Sequence, residues 1–410
     1  MKKLLLVLLI LSLFINHLNA NEKDLQIIQK DKKEYRLLDK ESIQTRQQSQ
    51  KYDWISPIDL SGNIGRNHSF SDENSRNLNN KNTKSASIGF TQSIFESGGI
   101  GFKMDYADNR FKYEMLSWEN QNSQLIYTIY NTLLDIKKLN LEINQNDYRI
   151  VNKDIELIIK KIQYEAGKTD IIELNNAIMS KNLILKEEIA LKNSLKEKEQ
   201  ELAKYTDLKY DEIEILDFQE TNKDIFLDKN YSILEADAKV EMLNSEYKIK
   251  KSQYLPKLSL SAKASYSSQD EKFNSMINDT NKDDASSSGS LILSMPLYDY
   301  TKSSKIQESK IEVLKQKALV NDLKNETAFE YEQIFTKIDT YLKQNETINK
   351  NIKLYEELIG ANQISSEAGM TSKYDLEILE NTKTINEFDI LINKINILQQ
   401  YAKLYFKIKN

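Results

Sequence analysis

The chain contains no cysteine, and His17 and His68 are its only histidines. Thiolate sites, multi-histidine metal sites and histidine-based nucleophile relays are therefore excluded. Glycine and proline are also scarce, with ten and three copies in 410 residues, while 29% of the residues are charged. This composition favours long, uninterrupted helices over compact enzyme domains. We therefore predict no enzymatic activity, no cofactor and no metal site.

The chain also lacks basic clusters and, beyond its N-terminus, long apolar runs. Its formal net charge is −5 and its lysines are interleaved with acidic residues, which gives no sign of nucleic-acid binding. The N-terminus has Lys2 and Lys3, an apolar run over residues 4–15, and Ala20. This layout predicts a secretory signal peptide over residues 1–20. No later stretch reaches the roughly 20 apolar residues of a membrane helix, so any membrane-spanning part must consist of strands.

A short motif occurs twice in the chain. Residues 165–169 read Glu-Ala-Gly-Lys-Thr, and residues 367–371, which lie 202 positions later (367 − 165), read Glu-Ala-Gly-Met-Thr. A carboxylate and a leucine follow each copy at the same offset, as Glu173-Leu174 and Asp375-Leu376. A period near 200 is too long for a solenoid unit. We predict a tandem duplication, with a first repeat over residues 21–206, an irregular linker over 207–230 and a second repeat over 231–410.

Each predicted repeat has the order helix, strand, strand, helix, helix. The two helices that follow the strands form a hairpin, and the predicted tips lie near residues 167 and 369. The helix before the first tip, from about residue 102 to 164, would be roughly 95 Å long. Ile129, Ile136 and Ile143 recur every seven positions in it, which is typical of helices that supercoil around neighbours. The alternative is an ordinary amphipathic helix on a globular core.

Alternating apolar and polar residues predict four strands. They lie at about residues 58–67, 85–96, 258–268 and 287–298. In the third strand Leu258 and Leu260 would face lipid, whereas Ser259 and Ser261 would face water. Four strands are too few to close a barrel, and an open sheet edge is not stable in lipid. Two copies would supply eight strands and three would supply twelve. The alternative is a soluble β-sandwich inserted in a helical rod.

Several segments resemble a known family in the order in which that family has them. Residues 91–95, Thr-Gln-Ser-Ile-Phe, look like the second-strand motif of the TolC-like outer membrane efflux proteins. Residues 255–260, Leu-Pro-Lys-Leu-Ser-Leu, are similar to that family's helix-to-strand junction, and residues 295–298, Met-Pro-Leu-Tyr, to its fourth-strand exit. The Ala-Gly pairs of the two tips are similar to the family's hairpin-tip glycines.

The resemblance implies a trimeric α/β-barrel channel. Its twelve-stranded β-barrel would lie in outer membrane lipid, and its twelve-helix α-barrel would extend into the periplasm. Such a homotrimer would be the exit duct of a tripartite efflux or type I secretion system, acting with a periplasmic adaptor and an inner-membrane transporter. The main alternative is a pore-less periplasmic coiled-coil or adaptor protein, and a hydrolase is a more distant one.

The resemblance also implies roles for residues at the two tips. Asp375 would line a periplasmic gate, where three symmetry copies of its carboxylate would attract cations. Ile378 stands where the family has a second acidic ring, with Glu377 beside it as a further gate candidate. Glu173 would brace the first tip through polar contacts with a neighbouring helix. The alternative for Asp375 is a solvated charge on a helix surface. The residues implied to dock the adaptor are Ala166, Gly167, Ala368 and Gly369.

Residues 167–169, Gly-Lys-Thr, resemble the end of a phosphate-binding loop, but we predict that they do not bind a nucleotide. The glycine that such a loop needs five residues earlier is missing, and no strand precedes the motif.

Overall fold

The structure is a computed structural model that describes residues 25–69, 79–216, 218–270, 282–367 and 372–409. The predicted signal peptide and the Ala368-Gly369 pair lie outside these residues. Helices and a single antiparallel sheet make up the described chain, which confirms the predicted fold class. The elements in chain order are α1 (Lys30–Tyr52), β1 (Asp59–Ser69), β2 (Asn79–Phe95), α2 (Gly99–Glu165), α3 (Ile171–Leu202), α4 (Lys223–Asp228), α5 (Tyr231–Ser252), β3 (Lys257–Asp270), β4 (Lys282–Ser294), α6 (Lys302–Glu367) and α7 (Lys373–Lys407).

Two strands differ from their predicted bounds. β2 begins at Asn79 rather than near residue 85, because the polar residues before Ser85 pair with β1 through their backbones, and hydropathy cannot detect such pairing. β4 covers residues 282–294 rather than 287–298. It ends before Pro296, which has no N–H to donate to a sheet. The predicted irregular linker contains the short helix α4.

The chain divides into two compact units that do not coincide with the two sequence repeats, because each unit takes segments from both. The first unit comprises the described residues of 1–40, 116–235 and 321–410. Its core contains the buried side chains of Phe226, Ile334 and Leu404. In the same unit, Tyr130, Phe218 and Phe406 pack as an aromatic cluster with ring centroids 5.5–5.7 Å apart. Ile129 and Ile136, from the seven-residue series, are fully buried.

The second unit comprises residues 41–115 and 236–320 and contains the sheet. Its four strands lie in the order β1-β2-β3-β4, and every neighbouring pair is antiparallel. β2 and β3 belong to different sequence repeats, so the central pairing of the sheet joins the two repeats. One bulge, between Ser93 and Phe95, interrupts this pairing.

Among the described helices, none combines the length and the apolar character needed to cross a membrane.

Candidate functional site

The sheet has one face lined with hydroxyl groups. The Oγ atoms of Ser61 and Ser87 lie 2.8 Å apart across β1 and β2. Thr91 Oγ1 lies 3.1 Å from Ser261 Oγ across β2 and β3, and two further pairs of serines make similar contacts on this face. Those pairs are Ser93 with Ser259 at 3.4 Å and Ser265 with Ser286 at 2.8 Å. Short polar side chains therefore bridge all four strands on this face.

The opposite face of the sheet is apolar and exposed. The register places Leu60, Ile88 and Ala264 in one row, and alternation puts Leu258 and Leu260 on the same face. Leu291 and Leu293 of β4 extend the apolar face and are also exposed. Single exposed leucines are common in soluble proteins, but a continuous apolar sheet face indicates an interaction with lipid or protein.

Both edges of the sheet are open in the described part of the chain. β1 pairs only with β2, and β4 pairs only with β3. An edge strand presents unpaired N–H and C=O groups that act as a template for another strand. In β1, Leu60 and Ile64 lie on the apolar face and Ser61 on the hydroxyl face, whereas β4 alternates less strictly, with Ile292 on the hydroxyl face and Ser287 on the apolar face. The edges can therefore extend both faces by pairing with further strands.

The turn from β2 into α2 is held by residues whose roles were not apparent from the sequence. Ser97 has a φ of 50°, a left-handed conformation that is uncommon for residues other than glycine. Its Oγ donates a hydrogen bond to the Pro256 carbonyl at 2.7 Å, which ties the exit of β2 to the start of β3. At Gly99, an added Cβ would lie 2.8 Å from Ser252 Oγ. Gly99 is the first residue of α2 and allows close packing on α5.

Gln92 holds the entry of β1, at the same end of the β1–β2 pair. Its Oε1 accepts a hydrogen bond from the Ser56 N–H at 2.9 Å, and its Nε2 donates to the Trp54 carbonyl at 2.9 Å. These contacts provide hydrogen-bond partners for the backbone between α1 and β1, which belongs to no helix or strand. Gln92 lies within the strand motif on which the family resemblance depends, but a sequence alone gives no sign of this long-range role.

The first hairpin tip is a compact, exposed turn. Gly167 has a φ of 69°, its N–H donates to the Tyr164 carbonyl at 3.0 Å, and the Lys168 N–H donates to the Gln163 carbonyl at 2.8 Å. This is the Schellman pattern that ends many helices at a glycine. Ala166 and Gly167 are both exposed, and a Cβ at Gly167 would meet no atom within 4 Å. The tip surface therefore has room for a larger side chain or a partner.

The start of α3 stabilises this tip. Asp170 caps the helix, with its Oδ1 accepting the Glu173 N–H at 2.9 Å. Glu173 Oε2 in turn lies 3.0 Å from Lys160 Nζ on α2. The ion pair links the two helices of the hairpin just behind the turn. Because Glu173 is half exposed, we expect the pair itself to contribute no more than about 1 kcal/mol.

The second tip is described from Ser372 onward. Ser372 is the N-cap of α7, and its Oγ accepts the Tyr374 N–H at 3.2 Å. Asp375 lies in the first turn, where a carboxylate interacts favourably with the helix dipole. Asp375 and Glu377 are both exposed, and Ile378 is partly buried. No group of three or more acidic or histidine side chains in the described residues is placed to hold a metal ion.

The comparisons with known proteins support the predicted resemblance. The family model described as outer membrane efflux protein matches residues 224–403. A search of curated proteins found no match. Among solved structures, the outer membrane protein VceC of Vibrio cholerae is similar with a TM-score of 0.73 at 12% identity, covering 94% of this chain and 93% of that one.

Two further solved channels have the same fold. The CmeC outer membrane channel of Campylobacter jejuni gives a TM-score of 0.70 at 12% identity, covering 93% of this chain and 86% of that chain. The MtrE outer membrane channel of Neisseria gonorrhoeae, solved in an open state, gives 0.68 at 11% identity, covering 94% and 88%. Residues 224–403 thus match the outer membrane efflux protein family model, and the chain as a whole has the fold of these solved outer membrane channels.

Proposed function

We propose that the protein is the outer-membrane exit duct of a tripartite efflux system. The observation that carries the proposal is the four-stranded sheet, which has one apolar face, one hydroxyl-lined face and two open edges. Such a sheet suits a wall between lipid and water, with the apolar face toward lipid. The matched family is an outer-membrane transport family rather than an enzyme family. Because that family is named for efflux, we favour efflux over type I secretion.

The open edges require more than one copy of the chain in the membrane. Unpaired backbone groups cost several kcal/mol each in lipid, so the sheet must close on itself. Four strands cannot close, whereas three copies supply twelve strands and leave room for a lumen. We therefore propose a homotrimer. The helical hairpins α2–α3 and α6–α7 would form its periplasmic part.

The two hairpin tips are the proposed contact points for a periplasmic adaptor, which would connect the duct to an inner-membrane transporter. Ala166 and Gly167 are exposed on a tip that α3 and Glu173 hold in place. Ala368 and Gly369 lie outside the described residues and are proposed only from the sequence repeat. Asp375 and Glu377, exposed at the start of α7, are the proposed gate residues, and their threefold copies would attract cations.

The alternation of apolar and hydroxyl side chains along β3 provides a direct test of the proposal. Leu260→Arg would place a charge on the lipid face, which costs roughly 2–4 kcal/mol near the membrane midplane. Ser261→Arg, on the neighbouring residue, would place the same charge on the hydroxyl face. We expect Leu260→Arg to reduce outer-membrane insertion strongly. Ser261→Arg should insert normally and change the single-channel conductance in planar bilayers.

Two further measurements distinguish the duct from a pore-less periplasmic protein. Mass determination in detergent should give three copies of the mature chain, and purified protein should form steady conductance steps in bilayers. A monomer in detergent that forms no pore, or equal insertion of both arginine variants, would refute the proposal in favour of the coiled-coil alternative.

A further inference from the structure

The two repeats correspond residue by residue around the sheet. Leu60 corresponds to Leu260, 200 positions later (260 − 60), and Glu96 corresponds to Asp299, 203 positions later (299 − 96). With these offsets, the observed pairing of Asp59 with Gly89 predicts a pairing of Ser259 with Ile292, which is also observed.

The turns around the sheet obey the same correspondence. The Ile55 N–H donates to the Tyr52 carbonyl at 2.9 Å, and the Leu255 N–H donates to the Ser252 carbonyl at 3.0 Å. At the strand exits, Gly99 N–H donates to Glu96 and its counterpart Lys302 N–H donates to Asp299. The structure therefore gives a reliable map from one repeat to the other.

Within the chain, the second repeat covers the exit of the first. β3 pairs along β2, and the Pro256 carbonyl accepts the hydrogen bond of Ser97. Farther along, Asn109 of α2 donates to Ser245 of α5 at 3.0 Å, and the ammonium group of Lys248 lies 5.8 Å from the centre of the Phe102 ring. The exit of the first repeat is therefore covered by one strand, β3, and one helix, α5, of the second repeat.

Among the described residues, no strand or helix covers the equivalent surface of the second repeat as β3 and α5 cover that of the first. Tyr298 is 85% exposed, whereas its counterpart Phe95 is 53% exposed. On the complementary side, Leu60 of the edge strand β1 is 80% exposed, whereas its counterpart Leu260 is 39% exposed. In the described part of the chain, no strand follows the exit of the second repeat and none precedes the start of the first. The absence of one kind of contact, between the exit of one repeat and the start of the next, accounts for both differences in exposure.

We propose that β1 and the end of α1 of a second copy cover β4, residues 295–300 and the first turns of α6, in the register with which β3 covers β2. The inference rests on the proposed homotrimer and adds the residue pairs that join its subunits. Thr91 and Ser261 are paired within the chain, and their counterparts on the map are Ser294 and Ser61. The map therefore predicts that Ser294 of one copy pairs with Ser61 of the next. The other predicted pairs are Leu293 with Gly62, Leu291 with Ile64, and Tyr298 with Ile58.

This register preserves the chemistry of both faces. Ser294 and Ser61 place two hydroxyl groups opposite each other, as Thr91 and Ser261 do within the chain. Leu291 and Ile64 place two apolar side chains opposite each other on the other face. A shift by one residue would put apolar side chains of one copy on the hydroxyl face of its neighbour. The register is therefore consistent with a continuous apolar surface and a continuous polar surface around the closed sheet.

The absence of native cysteine allows the register to be measured by disulfide formation. Ser61→Cys would be combined in one chain with Ser294→Cys, Ile292→Cys or Ser290→Cys, and the assembled protein would be oxidised in the membrane. All three partner positions lie on the hydroxyl face. Directly opposite residues have Cα atoms about 4.5–5.5 Å apart, within the range for a disulfide, whereas diagonal neighbours lie about 7–8 Å apart.

We expect the Ser294→Cys pair to cross-link at least tenfold faster than the other two and to yield a covalent trimer, since a closed ring joins every copy to the next. The Thr91→Cys and Ser261→Cys pair is the matched control and should form a disulfide within one chain. Faster cross-linking at Ile292→Cys or Ser290→Cys, in a protein that is a trimer by mass, would overturn the register but leave the duct intact. A monomer without any cross-link between copies would refute the homotrimer itself.

Discussion

Replacing Arg36 by alanine should release the N-terminal part of α1 from α2. Arg36 is 9% exposed, and its guanidinium donates three hydrogen bonds to α2. Nε reaches Asn122 Oδ1 at 2.6 Å, and the other two nitrogens reach Gln121 Oε1 at 2.9 Å and the Trp118 carbonyl at 3.1 Å. In return, Trp118 Nε1 donates to the Arg36 carbonyl at 2.8 Å. α1 is a polar helix with few buried apolar side chains, so this clamp contributes a large part of its attachment to α2.

The expected loss follows from the burial of the acceptors. A hydrogen bond from a charged donor contributes about 1.5–3 kcal/mol, and Asn122 is fully buried, so its carbonyl oxygen would lose its donor with no water to replace it. Gln121 is exposed and can bind water instead. We therefore expect a cost of about 3 kcal/mol. Since 1.4 kcal/mol corresponds to a factor of ten, local opening of α1 should become about 100-fold more frequent.

Hydrogen exchange measures this opening directly, because amide exchange through local opening follows its free energy. The matched control is Arg46→Ala on the same helix, where the guanidinium is 43% exposed and binds Glu114 at 2.9 Å. Such a pair contributes about 0.2–1 kcal/mol, so exchange should rise less than about fivefold. Equal protection of α1 in the two variants would show that the Arg36 contacts carry little energy, and that apolar contacts hold the helix in place.

Three other changes have defined outcomes. Burial raises the pKa of the Glu330 carboxyl, but hydrogen bonds from Lys403 and Lys407 outweigh burial and hold the pKa below its ordinary value. The stabilisation by Glu330 is then complete above the ordinary value of about 4.3 and is lost as the pH falls through the folded-state pKa. Denaturation midpoints of the wild type and Glu330→Gln should therefore differ at pH 7 and converge in acid, and a constant difference would contradict this. At the first tip, Gly167→Asn keeps a residue that tolerates positive φ, so it should leave the trimer intact but reduce export by displacing the adaptor; a loss of the trimer would show that the glycine is structural. Asp375→Ala should weaken the block of single channels by divalent cations, and identical block in both proteins would make Asp375 a solvated surface charge.

The elements of the fold were predictable where their chemistry is local. Alternation along residues 258–266 and the proline at 256 indicate a strand and its start, and glycine at 167 indicates a helix end. Long-range pairing was not predictable in the same way. Residues 79–84 are polar, and only their pairing with β1 makes them part of a strand. Arg36 has no local pattern, because its acceptors lie more than 80 positions away in the chain.

In the candidate site, too, the sequence predicts features that depend on adjacent residues but not features that depend on distant ones. The repeated tip motif identifies both hairpin ends, because the turn depends on the residues within it. The edge strand β1, in contrast, has the same mixture of apolar and polar residues as the central strands. Sequence alone cannot distinguish β1, which has one neighbour, from β3, which has two. Only the structure shows that β1 and β4 are the strands without a second partner in the described chain.

A chain that contains two copies of one unit has one junction between the copies inside it and, in a closed ring, an identical junction between chains. The first junction forms by an intramolecular step, whereas the second depends on the concentration of subunits. In the proposed trimer, Thr91 and its counterpart Ser294 would hold equivalent positions in these two junctions. A substitution at Thr91 would therefore act on the folding of the chain, whereas the same substitution at Ser294 would act on the assembly of the proposed trimer. The duplication would thus give two chemically equivalent surfaces, one of which is buried when the chain folds and the other when the subunits assemble.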